Sequence, residues 1–180
     1  MNITETYYLK ALDQYAHNLE ECIENLNYAL SYDAEYAPAL CLMGRLYTAE
    51  IKNYTLAEEF FNRALAANFE YSETYLYYGK LLLILDKQPE LEKLMEQALK
   101  IQGMDKSSIY HTKGLSSEQQ GQFDETLAFL YRALKFSYNS ESDEFLIAEI
   151  KRVEGKQKKL KKKKAPKPEY KSRWVKTYSY

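Results

Sequence analysis

The chain has 180 residues, 46% of them hydrophobic and 28% charged, with six Gly, four Pro and a formal net charge of −1 at pH 7. That length suits one domain with enough apolar material for a continuous core, and so few turn-forming residues leave little room for a β-rich fold. The near-neutral total hides an asymmetry: residues 1–150 hold 24 acidic and 12 basic side chains, a net of −12, whereas residues 151–180 hold 13 basic and two acidic ones, a net of +11.

Taken in chain order, the N-terminus from Met1 to Thr6 lacks the basic start and apolar core of a signal peptide. A first helix is expected near Tyr7 to Tyr15. A second is marked by Leu19, Cys22, Ile23, Leu26, Ala29 and Leu30, which return at three- and four-residue steps. Pro38 sits where a third helix should begin, since a missing N–H costs nothing in a first turn. A turn is expected around Ile51-Lys52-Asn53-Tyr54, followed by a helix carrying Ala57, Phe61 and Ala64 on one face. Next come Tyr75, Tyr78, Gly79 and Leu82; the wholly aliphatic run there, Leu81 to Leu85, is far too short to span a bilayer. Pro89 opens the helix whose stripe is Leu91, Leu94, Met95, Ala98 and Leu99, and Gly103 stands where a C-cap glycine would. Tyr110 to Ser117 and the stripe Leu127, Leu130, Tyr131 and Leu134 give two more. Leu146, Ile150, Val153 and Leu160 predict a last helix starting after Ser142, with Asp143 and Glu144 favouring its N-terminus.

Superimposed on these elements is a period. Ala29-Leu30, Ala64-Leu65, Ala98-Leu99 and Ala133-Leu134 recur at steps of 35, 34 and 35 residues, and Gly44, Gly79 and Gly114 are each one repeat apart. Such a period means one supersecondary unit copied several times, each copy burying its apolar face on the next. Around the glycines the chain reads Leu40-x2-Met43-Gly44-x2-Tyr47, Tyr75-x2-Tyr78-Gly79-x2-Leu82 and Tyr110-x2-Lys113-Gly114-x2-Ser117. Downstream lie Ala57-x3-Phe61-x2-Ala64, Leu91-x3-Met95-x2-Ala98 and Thr126-x3-Leu130-x2-Ala133.

Over roughly residues 5 to 138 this pattern resembles the tetratricopeptide repeat, a 34-residue helix-turn-helix unit. The resemblance implies an all-α, right-handed superhelical solenoid of about four hairpins over residues 1–140. A capping helix over 141–155 and a basic tail over 156–180 complete the expected organisation. The glycines would let the two helices of a hairpin approach, and the alanines at 64, 98 and 133 would do so between neighbouring hairpins. Departures are local. Phe69, Gly103 and Tyr138 stand in place of the usual closing Pro, and Lys113 and Ser117 are polar where apolar residues are usual.

Convergent catalytic groups are missing from the sequence. His17 and His111 have no ligand or base partner at suitable spacing, and no phosphate-cradling glycine loop or nucleophile motif occurs. No enzymatic activity, metal or cofactor is expected. Cys22 and Cys41 lack metal-type spacing; Cys22 stands where the resemblance implies a small buried residue, so core packing is its simplest role, and the pair suits a reducing, cytoplasmic setting.

The expected function lies on a surface. The resemblance implies a concave groove lined by the first helix of each hairpin, binding an extended peptide or a partner helix. By position it would include Cys41, Arg45 and Thr48, then Leu76, Tyr77, Lys80 and Leu83, then His111, Leu115 and Glu118. Arg45 and Lys80 take the same place in consecutive repeats, as aligned cations suited to an acidic segment. One subtype of the family clamps chaperone C-termini with Lys and Asn. The matching places here, Cys41, Arg45, Tyr77, Ser108 and Thr112, hold one basic residue, which does not support that role.

The tail carries the alternative. Lys158, Lys159, Lys161, Lys162, Lys163, Lys164, Lys167, Lys171, Arg173 and Trp174 form a candidate polyanion-binding segment, because lysines neutralise phosphates and aromatics stack on unpaired bases. Beyond Gly155 the lysine run has too little apolar surface to dock, and like-charge repulsion should fray it, with Ala165-Pro166-Lys167-Pro168 ending any helix. Nucleic acid, an anionic surface or the acidic part of this or another copy would each attract such a tail. Integral membrane contact is not expected.

Overall fold

The computed structural model describes residues 2–164, and among them the secondary structure is helical without strands. The helices are α1 (Ile3–Gln14), α2 (Leu19–Tyr32), α3 (Ala37–Ala49), α4 (Tyr54–Ala67), α5 (Ser72–Ile84), α6 (Gln88–Ala98), α7 (Lys106–Gln119), α8 (Phe123–Phe136) and α9 (Ser140–Lys164). Side-chain caps set several starts. The Oδ1 of Asn2, Asn18 and Asn53 accepts from the amides of Thr4, Glu21 and Leu56, and Asp105 accepts from Ser107 and Ser108. Pro38 and Pro89 lie in the first turns of α3 and α6.

The helices pack as antiparallel hairpins, α1 with α2, α3 with α4, α5 with α6 and α7 with α8. Each glycine of the period is a point of close approach inside a hairpin. A Cβ at Gly44 would come within 2.7 Å of the Phe61 ring, and one at Gly79 within 2.9 Å of Met95 Cε. At Gly114 the clearance from Leu130 is 3.4 Å. Ala29, Ala64, Ala98 and Ala133 are all fully buried. Three of the turns inside hairpins close through a left-handed residue at matching places, Lys52 (φ 58°), Asp86 (φ 55°) and Gly121 (φ 73°).

Stacking carries the core from one hairpin into the next. Leu26, Leu42 and Leu46 centre one cluster across α1–α3, and Phe61, Leu81, Leu91 and Met95 centre a second across α3–α7. Leu30, Tyr47 and Phe60 touch both. The first helices α3, α5 and α7 contact one another in a row, whereas the second helices α4, α6 and α8 do not to a comparable degree. Helices that sit closer together lie on the inside of the curve, so the first helices form the concave wall.

Lys113 and Ser117, the polar departures from the pattern, are both buried. Lys113 lays its stem against α8, with its ammonium 5.0 Å from the Phe129 ring centre, and delivers its charge to Glu92 at 2.8 Å and Glu96 at 2.6 Å on α6. The carboxylates satisfy the ammonium, so an apolar residue is not required there.

The last helix differs from its sequence expectation. Leu146, Ile150 and Val153 bury against Leu130 and Ala133, and α9 runs through Gly155 to Lys164 without a break. Polar contacts tie its first turn beyond Gly155 to the solenoid: Lys156 reaches Glu118 at 2.7 Å, and the Gln157 amide donates to Asp124 at 2.6 Å.

Candidate functional site

The concave wall gathers side chains from α1, α3, α5, α7 and α9. At its N-terminal end Tyr8 packs edge-on against Tyr36, with ring centres 5.6 Å apart. Further along, the half-buried Arg45 of α3 is held between two aromatic rings. Its guanidinium carbon lies 4.9 Å from the centre of Tyr15 and 4.0 Å from that of Tyr77. The exposed Lys80, one turn beyond Tyr77 on α5, places its ammonium 5.0 Å from the same ring. Two cations thus share the electron-rich Tyr77 ring, an arrangement worth about 0.5–1 kcal/mol per contact at exposed sites. Neither makes an ion pair among the described residues. Leu76 and Tyr77 are half-buried beside them.

The C-terminal end of the wall is neutralised. Glu118 of α7 accepts from both terminal nitrogens of Arg152 at 2.6 Å and from Lys156 at 2.7 Å. The hydrogen bonds from Arg152, then those from Lys156, hold its carboxyl down to about 2. Arg152 also pairs with Glu149 at 2.8 Å. Next to this network, His111 sits edge-on against Phe145, with ring centres 5.3 Å apart and planes at 73°. Burial pushes its imidazole below the usual histidine range, and its Nε2 has no hydrogen-bond partner among the described residues.

Of the positions expected to line the groove, Arg45, Leu76, Tyr77 and Lys80 come together on one stretch of wall. Leu115 is half-buried and lines an open hollow of about 400 Å³ with Glu118, Gln119, Arg152 and Lys156. Leu83 joins that hollow by its edge, but only 9% of it is exposed and its packing belongs to the core. Cys41 is a correction: it is 1% exposed and lies in the core, with burial pushing its thiol up to about 12. It is protonated and unreactive at neutral pH. His111 is partly covered by α9.

Two contributors were not picked out from sequence: Tyr15, the second face of the Arg45 sandwich, and Arg152, the partner of Glu118. Arg152 stands 34 residues after Glu118 and Phe145 stands 34 after His111. The repeat phase therefore continues into α9, which takes the place of a next hairpin's first helix, and that spacing is the signal that identifies it. Of the lysine-rich segment, Lys158, Lys159, Lys161 and Lys162 are exposed on α9. Lys163 and Lys164 end the helix, and Lys167, Lys171, Arg173 and Trp174 lie outside the described residues. Among the described residues no cluster of three or more His, Cys, Asp or Glu could hold a metal ion, and no helix is long and apolar enough to cross a membrane.

No family model matches the sequence, and no curated protein matches it either. Solved structures do match the fold. PilF of Pseudomonas aeruginosa superposes with a TM-score of 0.76 at 20% identity, over 87% of this chain and 70% of that one. PilW, a widely conserved type IV pilus biogenesis factor, gives 0.77 at 21% identity, over 89% and 73%. A thermophilic tetratricopeptide-repeat protein of Thermus thermophilus gives 0.67 at 19% identity, over 83% and 80%. The chain has the tetratricopeptide-repeat fold.

Proposed function

We propose that this chain is a non-enzymatic interaction scaffold whose concave wall binds an extended acidic segment or partner helix of another protein. The observation that carries the reading is the shared Tyr77 ring. Arg45 and Lys80 are held 4.0 and 5.0 Å from its centre, without a carboxylate partner among the described residues. Over the first 150 residues acidic groups outnumber basic ones two to one, so a pair of unmatched cations on the inner wall is a local exception. Preorganised cations attract a carboxylate-bearing ligand and fix its register. Leu76 beside them, and Leu115 further along, offer apolar contact for an anchoring side chain. Histidine at 111, packed under Phe145, sets the far end of the accessible stretch.

The buried, unbonded cysteines suit a reducing, cytoplasmic setting for this binding. Selection from a library of randomised dodecapeptides tests the reading. Acidic sequences with one large apolar residue are expected to be enriched on the full-length protein, and enrichment of basic sequences, or of none, would overturn it.

A further inference from the structure

A solenoid leaves two faces without a neighbouring repeat, one at each end. In this chain the two faces are opposite in charge and both expose apolar groups. At the N-terminal end Tyr7 of α1 stacks on Tyr28 and Tyr32 of α2, with ring centres 5.2 and 5.9 Å apart. Tyr28 and Tyr32 remain 47% and 55% exposed. Beside Tyr28 lies an open hollow of about 590 Å³ lined by Glu20, Ile23 and Glu24 among others. Glu20, Glu21 and Glu24 make no ion pair among the described residues, and α2 contains no Lys or Arg.

At the other end, α9 turns Leu146, Ile150 and Val153 to the core and Arg152 and Lys156 to α7. A solvent-facing side of α9 flanking its core side carries Ile147, Lys151, Lys158 and Lys162, spaced four, seven and four residues apart so that they share one side of the helix. All four are exposed. After Glu154 the described part of α9 has no carboxylate.

We propose that the exposed face of α9 docks on the α1–α2 face of a second copy of this chain, head to tail. Lys151, Lys158 and Lys162 would meet Glu20, Glu21 and Glu24, while Ile147 meets the Tyr28–Tyr32 surface. The occupant is a second copy because one sequence supplies both halves of the match, a net of −12 over residues 1–150 and +11 over 151–180. Within a single copy the two faces stand at opposite ends of the stack, separated by the intervening hairpins, and cannot meet. An interface of this kind is heterologous: each copy keeps one face of each type free, so association continues beyond a dimer. It uses the ends of the solenoid, not the concave wall, and is independent of the peptide-binding reading.

Sedimentation of the full-length, nuclease-treated protein over a range of concentrations tests this. The weight-average mass is expected to climb past the 21.2 kDa of one chain as concentration rises. It should fall back in high salt, where the screening length drops from about 10 Å at 0.1 M to about 3 Å at 1 M. Reversing the head (Glu20→Lys with Glu24→Lys) or the tail face (Lys151→Glu with Lys158→Glu) is expected to give monomers. Mixing the two variants, or combining both reversals in one chain, is expected to restore association, a rescue that a folding defect would not show. Four results would overturn the proposal: a wild-type monomer at every concentration, association that survives either reversal, loss without rescue, and a monomer whose tail reversal instead abolishes binding to a single-stranded oligonucleotide.

Discussion

Glu118 on α7 accepts both terminal nitrogens of Arg152, one repeat length further along the chain on α9, at 2.6 Å each. This bidentate contact, with Lys156 as a third donor, ties the last helix to the wall and extends the repeat by one further element. It also gives the fold a pH dependence. The Glu118 carboxyl is held down to about 2 from an ordinary 4.5, so its contribution is complete above pH 4.5 and is lost as pH falls toward 2. His111 acts earlier. Burial keeps it neutral in the folded chain, so the unfolded chain gains protons first as pH drops below 6.5. Stability therefore declines in two stages on acidification. Thermal melts from pH 7.5 downward should show both, with the upper stage absent in His111→Gln and the lower one reduced in Glu118→Gln. Because Arg152 and Lys156 are 39% and 55% exposed, the Glu118 contribution is about 1 kcal/mol after solvent screening.

The glycines of the period separate by clearance. Gly44→Ala forces the buried Phe61 ring to move, since the new Cβ would sit 2.7 Å from it, and is expected to cost about 1–3 kcal/mol. Gly114→Ala meets Leu130 at 3.4 Å and gains helix propensity, so its cost should be smaller or absent. Denaturant unfolding of the two variants measures the difference, and equal costs would contradict the role assigned to Gly44.

Lys52 occupies a left-handed position (φ 58°) that Gly121 fills in the equivalent turn. A side chain in that region costs about 1–2 kcal/mol, partly offset because Gly loosens the unfolded chain. Lys52→Gly is therefore expected to stabilise the protein by roughly 0.5–1 kcal/mol, seen as a higher midpoint in urea.

Much of the fold was legible because packing is periodic. The Ala-Leu pairs and the three glycines are contacts between helices, and a contact that recurs every 34 or 35 residues is visible without coordinates. The wall was legible only by position. Arg45, Leu76, Tyr77 and Lys80 are brought together as their phase implies, but phase does not say how deeply a side chain lies, and Cys41 and Leu83 prove to be core. The extension of α9 was missed because its anchors are single polar bonds to Glu118 and Asp124, partners more than 30 residues away that leave no apolar stripe. Tyr15 was missed for a related reason: it enters the wall from the end of α1, out of step with the repeat.

The most direct test of the interaction reading is the double substitution Arg45→Glu with Lys80→Glu, compared with the wild-type full-length chain for binding of a peptide selected from the randomised library. Both side chains lie on the wall rather than in the core, so circular dichroism should stay close to wild type, while loss of the three ring contacts should lower the melting midpoint by a few degrees. The expected result is loss of binding by at least about tenfold, which is about 1.4 kcal/mol. Unchanged affinity in a folded double variant would contradict the assignment of Arg45 and Lys80 to the binding surface.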